Sequence, residues 1–194
     1  MNATATSDSR LRVPPIIGFY AQVFLVTMVM FGLGGVGWGL WRPSISGTVS
    51  DGGSVELTDP AQSATNPEFS TFAVLAMLCA GLGLIVGIFA AKRARQNLGV
   101  MTMLWTSCVA WLGALVCYFL GTQLAQHLVG TPDLDTLQIG SVITYLPAIR
   151  PGIGLLLAPY TAMFGFWASA AFALTETGSH TQLAAEEPHA NVSH

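Results

Sequence analysis

The chain has 194 residues, of which 52% are apolar and only 9% charged, with a net charge of −3. Soluble domains carry about 25% charged residues, so a single water-soluble core is excluded and the bilayer must solvate much of the surface. No basic run or nucleic-acid motif is present, which removes nucleic acid as a partner.

The first apolar stretch runs from about Ile16 to Trp41, after Pro14 and Pro15. Proline suits the first turn of a helix, where its missing N–H is not needed. Arg10 and Arg12 precede the stretch like the n-region of a signal peptide. Its length nevertheless exceeds the roughly 7–15 residues of a signal h-region, and no small-x-small cleavage site follows. It reads as an uncleaved membrane anchor closed by Trp38 and Trp41, residue types that favour the headgroup layer. The loop Arg42–Glu68 contains SDGGS and TDPAQ, both turn signals. Its low apolar content predicts a segment that stays mobile or drapes over a partner.

A second span covers about Phe69–Ala91, and the turn Lys92, Arg93, Ala94, Arg95 separates it from a third at about Leu98–Leu124. In the next loop, Ala125–Pro151, Thr131 followed by Pro132, Asp133 and Asp135 is a helix-start signal. With Leu134, Leu137, Ile139, Val142, Ile143 and Leu146 it predicts a short helix on the membrane surface, with a docking surface as the second reading. The fourth span, about Gly152–Leu174, contains Pro159, which is expected to kink it. The polar, acidic segment 176–194 reads as a disordered cytoplasmic tail. Each span exceeds the roughly 20 residues needed to cross a bilayer, and none contains Asp, Glu, Lys, Arg or His. The fold class is therefore all-α: residues 1–175 form a four-transmembrane-helix bundle with two extracytoplasmic loops.

Orientation follows from Lys and Arg. Arg10, Arg12, Lys92, Arg93 and Arg95 lie on one side, and Arg42 and Arg150 on the other. Both termini and the basic turn are thus expected in the cytoplasm of a cell-membrane protein. Helices in lipid associate by close backbone approach at small residues. The candidate seams are Gly32, Gly35 and Gly39; Ala76, Ala80, Gly83 and Gly87; Gly113, Cys117 and Gly121; and Ala158, Ala162 and Gly165. Some of them are open to a partner chain.

Chemistry is sparse. There is no HExxH, GxSxG or phosphate loop. His127 stands at the outer end of the third span, where a solvated interfacial histidine is the expected reading. Cys79, Cys108 and Cys117 lie in apolar stretches without CxxC spacing and read as packing residues. Gln22, Tyr20, Thr27, Thr102, Thr106 and Ser107 are the polar groups of the inner half, with the capacity to pair between helices. No catalytic residue, metal site or cofactor is expected, and the expected partners are membrane lipids and other integral membrane subunits.

The glycine-rich first span ending WGLWRP (Trp38–Pro43), the acidic loop ending NPEFSTF and the KRAR turn carry a resemblance to small four-span membrane proteins of actinobacteria. It covers roughly the first 125 residues. The resemblance implies an accessory subunit of the cytochrome bcc–oxidase respiratory supercomplex, with structural or assembly work and no redox centre of its own. The tryptophans beside the first loop also resemble those of claudin-like proteins, but the paired loop cysteines of that family are absent, and this reading is rejected. The leading function is thus a non-catalytic accessory or assembly subunit. The alternatives are a small oligomeric transporter or channel, and a membrane enzyme or lipid-handling protein built on unfamiliar residues.

Overall fold

The computed structural model describes residues 15–49, 55–57, 66–94, 99–130, 142–146 and 149–186. Four helices dominate: α1 (Pro15–Trp41), α2 (Pro67–Arg93), α3 (Val100–Val129) and α4 (Leu157–Glu186). A 3-10 turn, Gly152–Leu156, leads directly into α4. The segments Ile16–Trp41, Pro67–Arg93, Val100–Val129 and Gly152–Ala173 are each long and apolar enough to cross a membrane. The chain is a multi-pass membrane protein, and the four spans lie where the apolar runs put them.

The helices assemble as two tight pairs, α1 with α3 and α2 with α4. A Cβ at Gly35 would fall 2.5 Å from the Cys117 carbonyl oxygen, and one at Gly39 would fall 2.6 Å from that of Gly121. Contacts that advance by four residues on both helices require α1 and α3 to run parallel. The same holds for α2 and α4, where Gly83 meets Ala158 and Gly87 meets Ala162 backbone to backbone. Gly165 adds to this seam, its Cβ position lying 2.8 Å from the Leu84 carbonyl oxygen. Gly113 and Gly121 make room for rings instead, those of Phe31 and Trp38. Ala76 is buried and Ala80 partly so, whereas Gly32 makes only ordinary contact with Leu120 at 3.8 Å. The α3–α4 contact joins the two pairs, around a core of Phe31, Trp38, Leu75, Cys79, Val86, Ala114, Cys117 and Ala158.

Three expectations need correction. The first loop does not lack structure: Ile45–Val49 (β1) and Val55–Leu57 (β2) are antiparallel strands. The second loop is not a surface helix at its C-terminal end, because Val142–Tyr145 (β3) pairs antiparallel with β1, from Ile45↔Tyr145 to Thr48↔Val142. The run Val-Ile-Thr-Tyr has high strand propensity, and β1 offers the backbone partner that a lone loop lacks. The predicted helix start at residues 131–141 lies outside the described residues. The sheet order is β2-β1-β3, so one strand ties both loops together.

The third correction is at the C-terminus. Phe166 packs with Val23, Ala90, Ala91 and Ala94 at the basic end of α2. The helix does not stop there or at the end of the apolar run but continues to Glu186, about 30 Å further at helical rise. Adding residues to an existing helix avoids the cost of nucleation, and Gln182–Ala185 are good helix formers. Residues 187–194 lie outside the described residues, as do Arg10, Arg12 and Arg95. Pro159 stands in the first turn of α4, just after the 3-10 turn, where a missing N–H is least costly.

The seams give a direct test. Gly39→Ala is expected to destabilise the bundle by about 1–3 kcal/mol through overpacking. Gly37→Ala, with open space around its Cβ position, should be neutral or stabilising by up to about 1 kcal/mol. Unfolding of the purified variants in mixed micelles measures both, and equal stabilities would show that the α1–α3 seam is not close-packed.

Candidate functional site

Polar chemistry gathers at the sheet end of the bundle. Trp38 lies three residues before the end of α1 and is 2% exposed, so it is a core residue and not the interfacial anchor its position suggests. Its Nε1–H donates to the Thr71 carbonyl at 3.3 Å, and its ring fills the space left by Gly121. The Thr71 hydroxyl donates in turn to the Pro67 carbonyl at 2.7 Å, within the first turn of α2. Trp41, by contrast, is exposed as an anchor should be.

Arg42 sits over the Trp38 ring, its guanidinium carbon 5.4 Å from the centroid, within the range of a cation–π contact. Burial pushes its pKa below the ordinary arginine value, while nearby Tyr118 opposes the shift. Arginine's very high reference value keeps the group charged. The Tyr118 ring lies 6.4 Å from Trp38, and its hydroxyl donates to the Ile149 carbonyl at 3.3 Å. α1, α2, α3 and the end of the second loop are therefore joined by one cluster: Trp38, Arg42, Thr71, Tyr118 and Ile149.

Beside this cluster opens a cleft of about 280 Å³ lined by Asn66, Glu68, Phe69, Phe72, Ile149 and Arg150. Asn66 adopts the left-handed conformation, φ 45° and ψ 68°, which asparagine tolerates better than most residues. Its carbonyl accepts from the Phe69 and Ser70 amides at 3.0 and 3.2 Å. Phe72 forms the wall towards Gly154. Glu68 and Arg150 are both exposed at this cleft, and among the described residues neither forms an ion pair.

At the opposite end, the Arg93 Nε donates to Gln22 Oε1 at 3.3 Å. The hydroxyls of Tyr20 and Thr102 lie 3.4 Å apart, with Trp105 edge-on to Tyr20 at 5.6 Å. The Ser107 hydroxyl donates to the Pro159 carbonyl at 3.3 Å. Thr27 and Thr106 instead donate to carbonyls in their own helices, those of Val23 and Thr102. The inner polar groups thus divide between interhelical pairs and local back-bonds.

Two groupings escape a linear reading. Cys79 and Cys117, on different helices and both fully buried, fall in the same core cluster. The cleft is assembled from residues more than 70 positions apart. The only available signal was that NPEF and IRP each place a charge at the edge of an apolar run. Cys108 is exposed on the bundle surface and His127 on the last turns of α3. No protein-family model matches the chain, and no curated protein or solved structure is detectably similar to it.

Trp38→Phe keeps an aromatic ring but removes the N–H and the extra ring volume of the indole, which leaves a void at this buried position. It is expected to cost about 0.5–1.5 kcal/mol for the lost hydrogen bond, with further losses from the void and a weaker cation–π contact. Trp41→Phe serves as the exposed control and should change stability little. Unfolding in micelles, followed by circular dichroism, measures the difference.

Proposed function

We propose that this chain is a non-catalytic accessory or assembly subunit of a larger membrane complex, with its termini and basic turn in the cytoplasm of a cell membrane. The observation that carries the reading is an aromatic stripe on α4. Tyr160, Phe164 and Trp167 follow i, i+4, i+7 spacing and are 66%, 63% and 64% exposed. Each stands two residues after a member of the Ala158, Ala162, Gly165 seam, about 200° around the helix, so the stripe points away from the bundle. The Ala158–Ala162 segment packs on Gly83–Gly87, which puts Tyr160 roughly 12 Å along α2 from Arg93 and inside the apolar layer. Tyrosine is usually found at the headgroup level. A phenol in hydrocarbon without a partner is costly, and among the described residues the Tyr160 hydroxyl has none. A polar group on a neighbouring subunit's helix would satisfy it. The more specific assignment, to the actinobacterial cytochrome bcc–oxidase supercomplex, is supported by the likeness carried by WGLWRP, NPEFSTF and KRAR.

The glycine seams do not contribute to this reading, since they are used within the bundle. A Tyr160→Leu, Trp167→Leu variant should insert and melt like the parent but lose co-purifying membrane subunits by about tenfold, equivalent to about 1.4 kcal/mol. A parent chain that leaves mild detergent as a lone monomer would overturn the proposal, and a homo-oligomer would favour a transporter.

The orientation rests on five basic residues at one end against two at the other. In a Cys108→Ala background, a Ser54→Cys variant should react with an impermeant thiol reagent applied to intact cells, and Gln96→Cys should not. The reverse pattern contradicts the assigned topology.

A further inference from the structure

We propose that the cleft between the first turn of α2 and the end of the second loop holds the headgroup of an aminophospholipid. Arg150 takes the phosphate and Glu68 the primary ammonium. The cleft lies where the α2 span begins, at the level of the headgroups, and its volume is about 280 Å³. Small-molecule pockets begin at about 300 Å³, so the space suits a headgroup and not a whole lipid. Its floor is Phe69, Phe72 and Ile149, and Phe69 is largely exposed, offering an apolar path for the glycerol and upper acyl chains.

Charge selects among lipids. One cation and one anion face the same cleft without pairing among the described residues. A zwitterion answers both charges, whereas a lipid carrying only a phosphate leaves Glu68 opposed to it. A quaternary ammonium can neutralise Glu68 but has no N–H to donate, so a primary ammonium is preferred. Both sides of the cleft are held in place. The Asn66 carbonyl is fixed by the Phe69 and Ser70 amides. Ile149, next to Arg150, is fixed by the Tyr118 hydroxyl. Arg150 and Glu68 are thus presented by anchored backbone.

The full chain, purified alone in micelles, is equilibrated with equimolar phosphatidylethanolamine, phosphatidylcholine and phosphatidylglycerol, and retained lipid is measured by native mass spectrometry. Phosphatidylethanolamine should be retained over phosphatidylglycerol by about fivefold, the upper end for an exposed ion pair. Glu68→Gln should abolish that discrimination, and Arg150→Gln should lower retention of all three lipids. Glu68→Asp and Arg150→Lys, which keep the charges, should preserve the preference and show that the neutral variants do not act through misfolding. Equal retention of the three lipids by the parent would overturn the proposal. So would a preference that survives Glu68→Gln, or retention unaffected by Arg150→Gln. The assay contains no partner subunit, so its outcome is independent of the accessory-subunit reading.

Discussion

Lipid tails solvate leucine as well as other leucines do, so burial of apolar surface gives helices in a bilayer little reason to associate. What remains is close van der Waals approach of backbones, and in this protein everything else depends on two such contacts. Gly35 and Gly39 lie on Cys117 and Gly121, and Gly83 and Gly87 lie on Ala158 and Ala162. Both contacts join helices that are not neighbours in sequence and that run parallel. Each helix pair therefore contains one member from each half of the chain, and neither half can form its tight seam alone.

The cap at the sheet end follows from this pairing. Once α1 and α3 are in register, Trp38 enters the gap above Gly121 and reaches the Thr71 carbonyl. Arg42 then lies over its ring, and Tyr118 reaches Ile149. These contacts bring the start of the first loop to the end of the second, so β1 finds a partner in β3 as well as in β2. The sheet is small, but it converts two loops that lack enough apolar surface to fold separately into one connected element. The cleft of Glu68 and Arg150 lies along the edge of this junction.

The two surfaces of the bundle carry different kinds of information. Most of its exposed apolar side chains, such as Leu33, Met77 and Met101, are what lipid contact requires. Tyr160 is different because its hydroxyl has a chemical demand that lipid tails cannot meet. The aromatic stripe on α4 and the cleft of Glu68 and Arg150 share no residues. A partner helix and a bound lipid could therefore occupy the same molecule together.

The four spans and the small-residue spacing within them are local properties of the chain. An unbroken apolar run of this length has no alternative in a bilayer to a helix whose backbone is satisfied internally. The basic turn and the glycine pattern were equally legible, because both are local properties of the chain. The sequence alone does not determine which seam meets which, and the Gly35–Gly39 face could have served a partner as readily as α3. A short apolar run such as Val142–Tyr145 supports helix or strand alike, and only β1, nearly a hundred residues away, decides between them. Position alone makes Trp38 an interfacial anchor like its neighbour Trp41, whereas its burial depends on a gap at Gly121 on another helix. The meeting of Cys79 and Cys117 in one core cluster and the placing of Glu68 and Arg150 at one cleft have the same origin. They are made by groups that share no local pattern, and only the packing of parallel helices in tertiary structure brings them within reach.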